Sequence, residues 1–144
     1  MNISEEIYFE ERLDFQINWY DTRSQKSQRI YKMLKGVQIV LSASIPLLVG
    51  FIVDYTIMVK VVGFFGIVIT AIEGWLGLSK HHENWIEYRG ICETLRHEKY
   101  MYLTRTGVYD TDAPFKYLVE RVESIISNEN VNWANLIKKD ENGK

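Results

Sequence analysis

The chain contains two long hydrophobic runs separated by a short polar turn. The runs cover Gly36 to Val53 and Ile57 to Leu78, and only Asp54, Tyr55 and Thr56 lie between them. About 18 or more apolar residues form a helix that can cross a hydrocarbon layer about 30 Å thick. Neither run shows the strict alternation of a barrel strand. The pattern predicts an all-α membrane protein with a two-span transmembrane hairpin over 36–53 and 57–78 and an outer turn at 54–56.

The segments on either side of the hairpin have the periodicity of amphipathic helices. Residues 1–35 contain no Pro or Gly, and we expect a long cytoplasmic helix that opens with a capping box of Asn2 and Glu5 and runs into the first span. Over 79–144 we expect further cytoplasmic helices, with a break at 106–113 and a last helix opening at Asp112 and Pro114. The apolar face of this last helix comprises Phe115, Leu118, Val122, Ile125, Ile126 and Trp133. These helices are expected to pack into an oligomeric bundle, so that 1–144 is a single domain.

A soluble bundle with a fully buried central hairpin is the alternative interpretation. The chain has 144 residues, and the amphipathic segments that remain are too short to cover two helices that are apolar on all sides. A cleaved signal peptide is not expected, because the first apolar run begins only after 35 residues, many of them charged.

Positive charge is concentrated before the first span. The segment from Asp21 to Lys35 has one acidic residue and five basic ones, namely Arg23, Lys26, Arg29, Lys32 and Lys35. Positive charge near span ends marks the cytoplasmic side, which predicts a multi-pass inner-membrane protein with both termini in the cytoplasm. The same basic residues are predicted to anchor the chain to anionic lipid. The single Cys92 then lies in a reducing compartment.

Small residues lie along one face of the second span, at Gly63, Gly66, Thr70, Gly74 and Gly77. Small residues on one face allow helices to approach closely in lipid. This face either packs against the first span of the same chain or makes a subunit contact or borders a pore. We predict Gly63, Gly74 and Pro46 to act in helix packing, with Pro46 kinking the first span. Gly66, Thr70, Glu73 and Gly77 are the candidate pore-lining residues.

Glu73 is the carboxylate within the second span. Ionisable residues in spans are costly and tend to face protein or water. In an oligomer, a ring of Glu73 side chains would attract cations. The alternative is an interfacial carboxylate that reaches the headgroups or pairs with Lys80.

The remaining sequence has no catalytic signature, and we expect neither an enzyme nor a cofactor. His81 and His82 are adjacent, so they diverge on a helix and do not form a metal site. The sequence pI of about 5.9 argues against nucleic-acid binding.

Several short fragments occur in an order that is similar to a known family. They are Arg12-Leu13, Gln16, Trp19-Tyr20-Asp21, Pro46, Asn84 to Arg89, Leu95, Glu98, Gly107-Val108-Tyr109, Phe115, Val119-Glu120, Glu129 and Trp133. Together they resemble the SLATT family of bacterial membrane proteins, two-transmembrane effectors associated with nucleotide-signalling modules. The resemblance covers about Tyr8 to Trp133.

The resemblance implies a membrane effector whose oligomers form or open a pore in a bacterial defence or conflict system, and it brings no catalytic residues. Two functions are therefore expected. The first is a homo-oligomeric, cation-conducting channel or pore, triggered by a cytoplasmic signalling partner or a nucleotide-signalling system. The second is a membrane-anchored scaffold that recruits a cytoplasmic partner through its terminal helices.

Overall fold

A computed structural model describes the backbone of residues 4–51 and 54–141, and the side chains of the same segments as far as Asn128. Over these residues the chain is helical and contains no strand, which confirms the all-α part of the predicted fold class. Asn2 and the side chains of Glu129 and Trp133, which the sequence analysis singled out, lie outside the described part.

Five α-helices are described, together with one π-helical and one 3-10 segment. In chain order they are α1 (Glu5–Tyr8), the π-helix (Phe9–Asp14), α2 (Phe15–Phe51), α3 (Tyr55–Ser79), α4 (His81–Leu103), the 3-10 turn (Gly107–Tyr109) and α5 (Pro114–Glu141). Helix α2 continues without a break through Lys35 and Gly36, where the sequence divides into a basic and an apolar part. Two helices are long and apolar enough to cross a membrane. Their most apolar 18-residue windows contain no buried residue, whereas the core helix of a soluble chain is mostly buried.

The helix ends are fixed by local chemistry that differs in detail from the predictions. Ser4 caps α1, because its hydroxyl accepts a hydrogen bond from the Ile7 amide. Asp54 caps α3 through the amides of Thr56 and Ile57, so the helix begins at Tyr55, two residues before the predicted start of the second span. Lys80 ends α3 in the left-handed conformation, with φ of 47°.

The chain divides into two compact units. The terminal unit comprises Met1–Asp21 and Tyr88–Lys144, and the hairpin unit comprises Thr22–Glu87. The terminal unit has a core of fully buried side chains, formed by Leu13, Cys92, Leu95, Tyr109, Leu118 and Val122. Tyr109 lies in the 3-10 turn, within the break predicted at 106–113, and the other five residues lie on helices of the flanking segments.

Two hydrogen-bonded Arg–Glu pairs link α5 to the rest of the terminal unit. Glu98 of α4 is only 4% exposed and accepts hydrogen bonds from the guanidinium of Arg121 at 2.7 and 2.8 Å and from the hydroxyl of Tyr109. Glu123 of α5 accepts two hydrogen bonds from Arg12, at 2.7 and 2.8 Å. Planar Arg–carboxylate pairs of this kind fix orientation as well as adding energy.

Three successive side chains of the π-helix contact three different parts of the terminal unit. Arg12 contacts Glu123, Leu13 enters the core, and the carboxylate of Asp14 lies 2.5 Å from the ammonium of Lys99. Insertions into the regular helix of this kind re-aim side chains at sites where the packing demands it. The amphipathic pattern of the sequence did not predict this segment.

The paired carboxylates make the terminal unit sensitive to acid. Hydrogen bonds from Arg121 hold the pKa of the Glu98 carboxyl below its ordinary value, and those from Arg12 do the same for the pKa of Glu123. A lowered folded-state pKa gives stability that is complete above the unfolded value of about 4.3 and is lost as the pH falls through the folded-state pKa.

We therefore expect the midpoint temperature of thermal unfolding, measured by circular dichroism in detergent, to decrease as the pH is lowered from about 5 to about 3. At pH 7, Glu98→Gln should lower the midpoint temperature and reduce the free energy of unfolding by about 2 kcal/mol. In acid, the midpoint temperatures of the variant and the wild type should become equal. Glu120→Gln, a change at an exposed carboxylate of α5, is the matched control and should leave both properties unchanged. Equal behaviour of the two variants would contradict the role of the Glu98 network.

Candidate functional site

Each of the two long helices of the hairpin unit carries a row of half-buried or buried residues spaced by three and four positions. In α2 the row comprises Tyr31, Leu34, Lys35, Gln38, Leu41, Ser44, Ile45 and Leu48. In α3 it comprises Met58, Val61, Val62, Phe65, Val68, Ile69, Ile72 and Leu76. This spacing is that of the contact line between two supercoiled helices. We call the two rows together the hairpin seam.

The small residues of α3 lie away from the hairpin seam. Gly63, Gly66, Thr70, Gly74 and Gly77 are all exposed. A Cβ atom added at any of the four glycines would meet no heavy atom within 4 Å. A shallow open groove follows this face, lined by Gly63, Gly66, Ile67, Thr70 and Ala71. The small-residue face therefore does not pack against the first span of the same chain, which was one of its two interpretations.

The hydroxyl groups of the apolar segments are satisfied within their own helices. Thr70 donates to the carbonyl of Gly66 at 2.9 Å, Ser42 to that of Gln38 at 2.8 Å, and Ser44 to that of Val40 at 2.7 Å. Such bonds allow a hydroxyl to face lipid or a close helix without an unpaired donor. Pro46 lies inside α2, on its exposed side, and the helix continues past it.

A polar cluster joins α2 to α3 near one end of the hairpin seam. The Lys35 ammonium lies 2.6 Å from Oε2 of Glu73, and the amide of Gln38 donates to the same oxygen at 3.0 Å. The side chains of Lys35 and Glu73 are 33% and 59% exposed, respectively. Glu73 therefore pairs with Lys35 and not with Lys80, the partner considered in the sequence analysis. Lys35, predicted as a lipid anchor, uses its ammonium within the hairpin.

The other predicted lipid anchors remain on the surface of α2. Arg23, Lys26, Arg29 and Lys32 are exposed. Lys26 and Arg29 border a shallow groove with Thr22, Gln25 and Ile30. In the described part of the chain, Lys26, Arg29 and Lys32 make no ion pair, so their charges are available to an anionic surface.

Aromatic rings gather on the same side of the hairpin unit as the polar cluster. The Tyr31 ring lies 4.8 Å from that of His82, and the indole N–H of Trp85 donates to Nδ1 of His82 at 3.2 Å. The hydroxyl of Ser24 donates to the Trp85 carbonyl at 3.1 Å. The sequence analysis gave His82 no partner. The three-residue spacing of His82 and Trp85 on one helix was the available clue.

The described residues offer no arrangement suited to metal or nucleophilic chemistry. No group of three His, Cys, Asp or Glu side chains within 4–51 and 54–128 could hold a metal ion. Cys92 is buried in the core of the terminal unit, and burial raises the pKa of its thiol. A protonated, buried thiol is a poor nucleophile. The candidate site is the polar cluster together with the small-residue face of the hairpin.

The comparison with protein families adds a relationship but no function. Residues 15–114 match the family described as Protein of unknown function (DUF4231), and this range is more than half of the chain. The chain belongs to the DUF4231 family. The match includes both apolar helices, α4 and the 3-10 turn, and it stops where α5 begins. Comparison with curated proteins and with solved structures gave no significant match.

The hairpin seam predicts different roles for two adjacent phenylalanines of α3. Phe65 lies on the seam, whereas Phe64 is 63% exposed. Phe65→Ala should destabilise the hairpin by about 1–2 kcal/mol, since it removes helix–helix packing at a half-buried position. Phe64→Ala should change the stability by less than about 0.5 kcal/mol. Thermal unfolding of both variants in the same detergent measures the difference, and a larger loss for Phe64→Ala would contradict the seam.

Proposed function

We propose that this DUF4231 protein is the subunit of a homo-oligomeric membrane channel or pore-forming effector. The observation that carries the proposal is the orientation of the small-residue face of α3, which points away from the partner helix of its own hairpin and has open space beside every glycine. Two spans cannot enclose an aqueous path alone, so several copies must surround it. A face of small residues allows the helices of neighbouring copies to approach closely.

The length and apolarity of α2 and α3, together with the charges beside them, support insertion in a membrane. The exposed basic residues Lys26, Arg29 and Lys32 favour the cytoplasmic side of an inner membrane, with the Asp54 turn on the opposite side. Lys60, one turn inside α3, is long enough to reach the headgroups from there. In this topology both termini, and with them the terminal unit, lie in the cytoplasm.

The pore is assigned to the residues on and beside the small-residue face. Gly66, Thr70, Glu73 and Gly77 are the proposed pore-lining positions, and Gly63, Gly74 and Pro46 the proposed helix contacts. Glycine at these positions presents backbone and no side chain, and Thr70 presents a hydroxyl whose proton is already bonded within the helix. Glu73 adds a carboxylate beside this face, in contact with the ammonium of Lys35.

The terminal unit is proposed to hold subunits together and to receive the trigger. The resemblance to the SLATT family supports a role as an effector in bacterial defence, with a nucleotide-signalling system or another cytoplasmic partner upstream. This narrower family assignment rests on the order of the sequence fragments, because the DUF4231 match names no function.

A membrane-anchored scaffold is the second candidate, and one observation favours it. The terminal unit exposes several large apolar or aromatic side chains, at Tyr100, Leu103, Val108 and Tyr117. Side chains of this kind are enriched where proteins dock. In a scaffold the hairpin would serve only as an anchor, and no ion would pass.

Ion flux in liposomes that contain only this protein separates the two functions. We expect the wild type to conduct, and Gly63→Leu to reduce the flux at least tenfold because the added side chain fills the contact face. Gly50→Leu is the matched control: Gly50 is also a glycine of an apolar helix with no heavy atom within 4 Å of an added Cβ, but it lies in α2. Absence of flux from the wild type under every voltage tried would favour the scaffold, and equal losses in the two variants would contradict the contact face.

A further inference from the structure

The carboxylate of Glu73 is held by two donors from the other helix of the hairpin. Lys35 and Gln38 both donate to Oε2, and Lys35 also donates to Oε1 of Gln38 at 3.2 Å. The three side chains thus form a closed triangle of hydrogen bonds that contains one cation and one anion. Oε1 of Glu73 makes no hydrogen bond to any other described residue, and the side chain stays more than half exposed.

This pairing changes what an ion near Glu73 would experience. A lone carboxylate attracts cations with a full negative charge. A contact pair of opposite charges has no net charge, so it attracts cations only as a dipole does. The simple ring of carboxylates expected from the sequence is therefore neutralised, residue by residue, from within each hairpin. The neutralising ammonium comes from the same chain, so the neutralisation does not depend on how the copies are arranged.

The position of Lys35 distinguishes it from the other basic residues of α2. Lys35 lies on the hairpin seam, whereas Lys32, three residues earlier, is exposed and has no ion pair in the described part of the chain. The two residues carry the same charge and differ by one helical turn. They consequently form a matched pair in which only one lysine touches the carboxylate.

We propose that Lys35 sets the ion selectivity of the channel by neutralising Glu73 of its own hairpin. This inference rests on the proposed channel function and adds a residue that the pore assignment does not include. With the pair intact, the Glu73 level of the pore discriminates weakly between cations and anions. Removal or displacement of the ammonium leaves a carboxylate that favours cations, and removal of the carboxylate leaves an ammonium that favours anions.

The test is the reversal potential of the purified, reconstituted full-length protein in a planar bilayer under a KCl gradient. Lys35→Met should raise the ratio of potassium to chloride permeability about sevenfold, because one unit charge at about 7 Å through water favours the cation about threefold and disfavours the anion about threefold. Glu73→Gln should shift the ratio in the opposite direction. The double variant, Lys35→Met with Glu73→Gln, should return it to the wild-type value because both charges are gone.

Two controls separate charge pairing from other causes. Lys32→Met removes an exposed, solvent-screened charge and should change the ratio much less than Lys35→Met does. Lys35→Arg keeps the charge and should keep the wild-type ratio, which excludes a general disturbance of the hairpin. Equal shifts for Lys32→Met and Lys35→Met, or an unchanged ratio in Lys35→Met, would overturn the inference while leaving the channel intact. Absence of current from the wild type and every variant would instead overturn the channel itself.

Discussion

Everything in the hairpin unit depends on the solvent that surrounds its outer surface. Away from the hairpin seam, α2 and α3 expose large apolar side chains along their whole apolar length, among them Ile39, Val40, Leu47, Phe64 and Ile67. In water such a surface would far exceed the apolar patches that soluble monomers tolerate. In lipid it costs nothing, provided that every backbone group and hydroxyl is bonded internally. The hydroxyls of Ser42, Ser44 and Thr70 meet that condition.

The two units are stabilised by different interactions, and the difference follows from the same constraint. In lipid, helices would gain little from hiding apolar surface, so the hairpin would rely on seam packing and on the polar cluster around Glu73. The terminal unit buries a compact apolar core and fixes α5 with hydrogen-bonded Arg–Glu pairs. Close helix packing is thus left available on the small-residue face of α3, which supports the proposed assembly of copies.

The sequence predicted the helices well because hydropathy and periodicity act locally. It could not choose the seam, because α3 is apolar on all sides and its glycine face borders the row containing Val62, Ile69 and Leu76. Without a polar contrast, which face meets α2 is decided by the fit of large side chains across the pair. The partner of Glu73 was also missed. Lys80 is near Glu73 in sequence, whereas the contact with Lys35 depends on the antiparallel register of two helices. The π-helix orients Arg12 and Asp14 toward Glu123 and Lys99. It was not predicted because these partners are distant in the sequence.

The location of the Asp54 turn tests the central claim most directly. A single cysteine is placed at Tyr55 in a Cys92→Ala background and is treated in intact spheroplasts with a membrane-impermeant maleimide, with a cysteine at the exposed Lys116 of α5 as the counterpart. The account predicts that the cysteine at position 55 is labelled before lysis and the one at position 116 only after it. Labelling of both positions only after lysis would contradict a membrane-spanning hairpin.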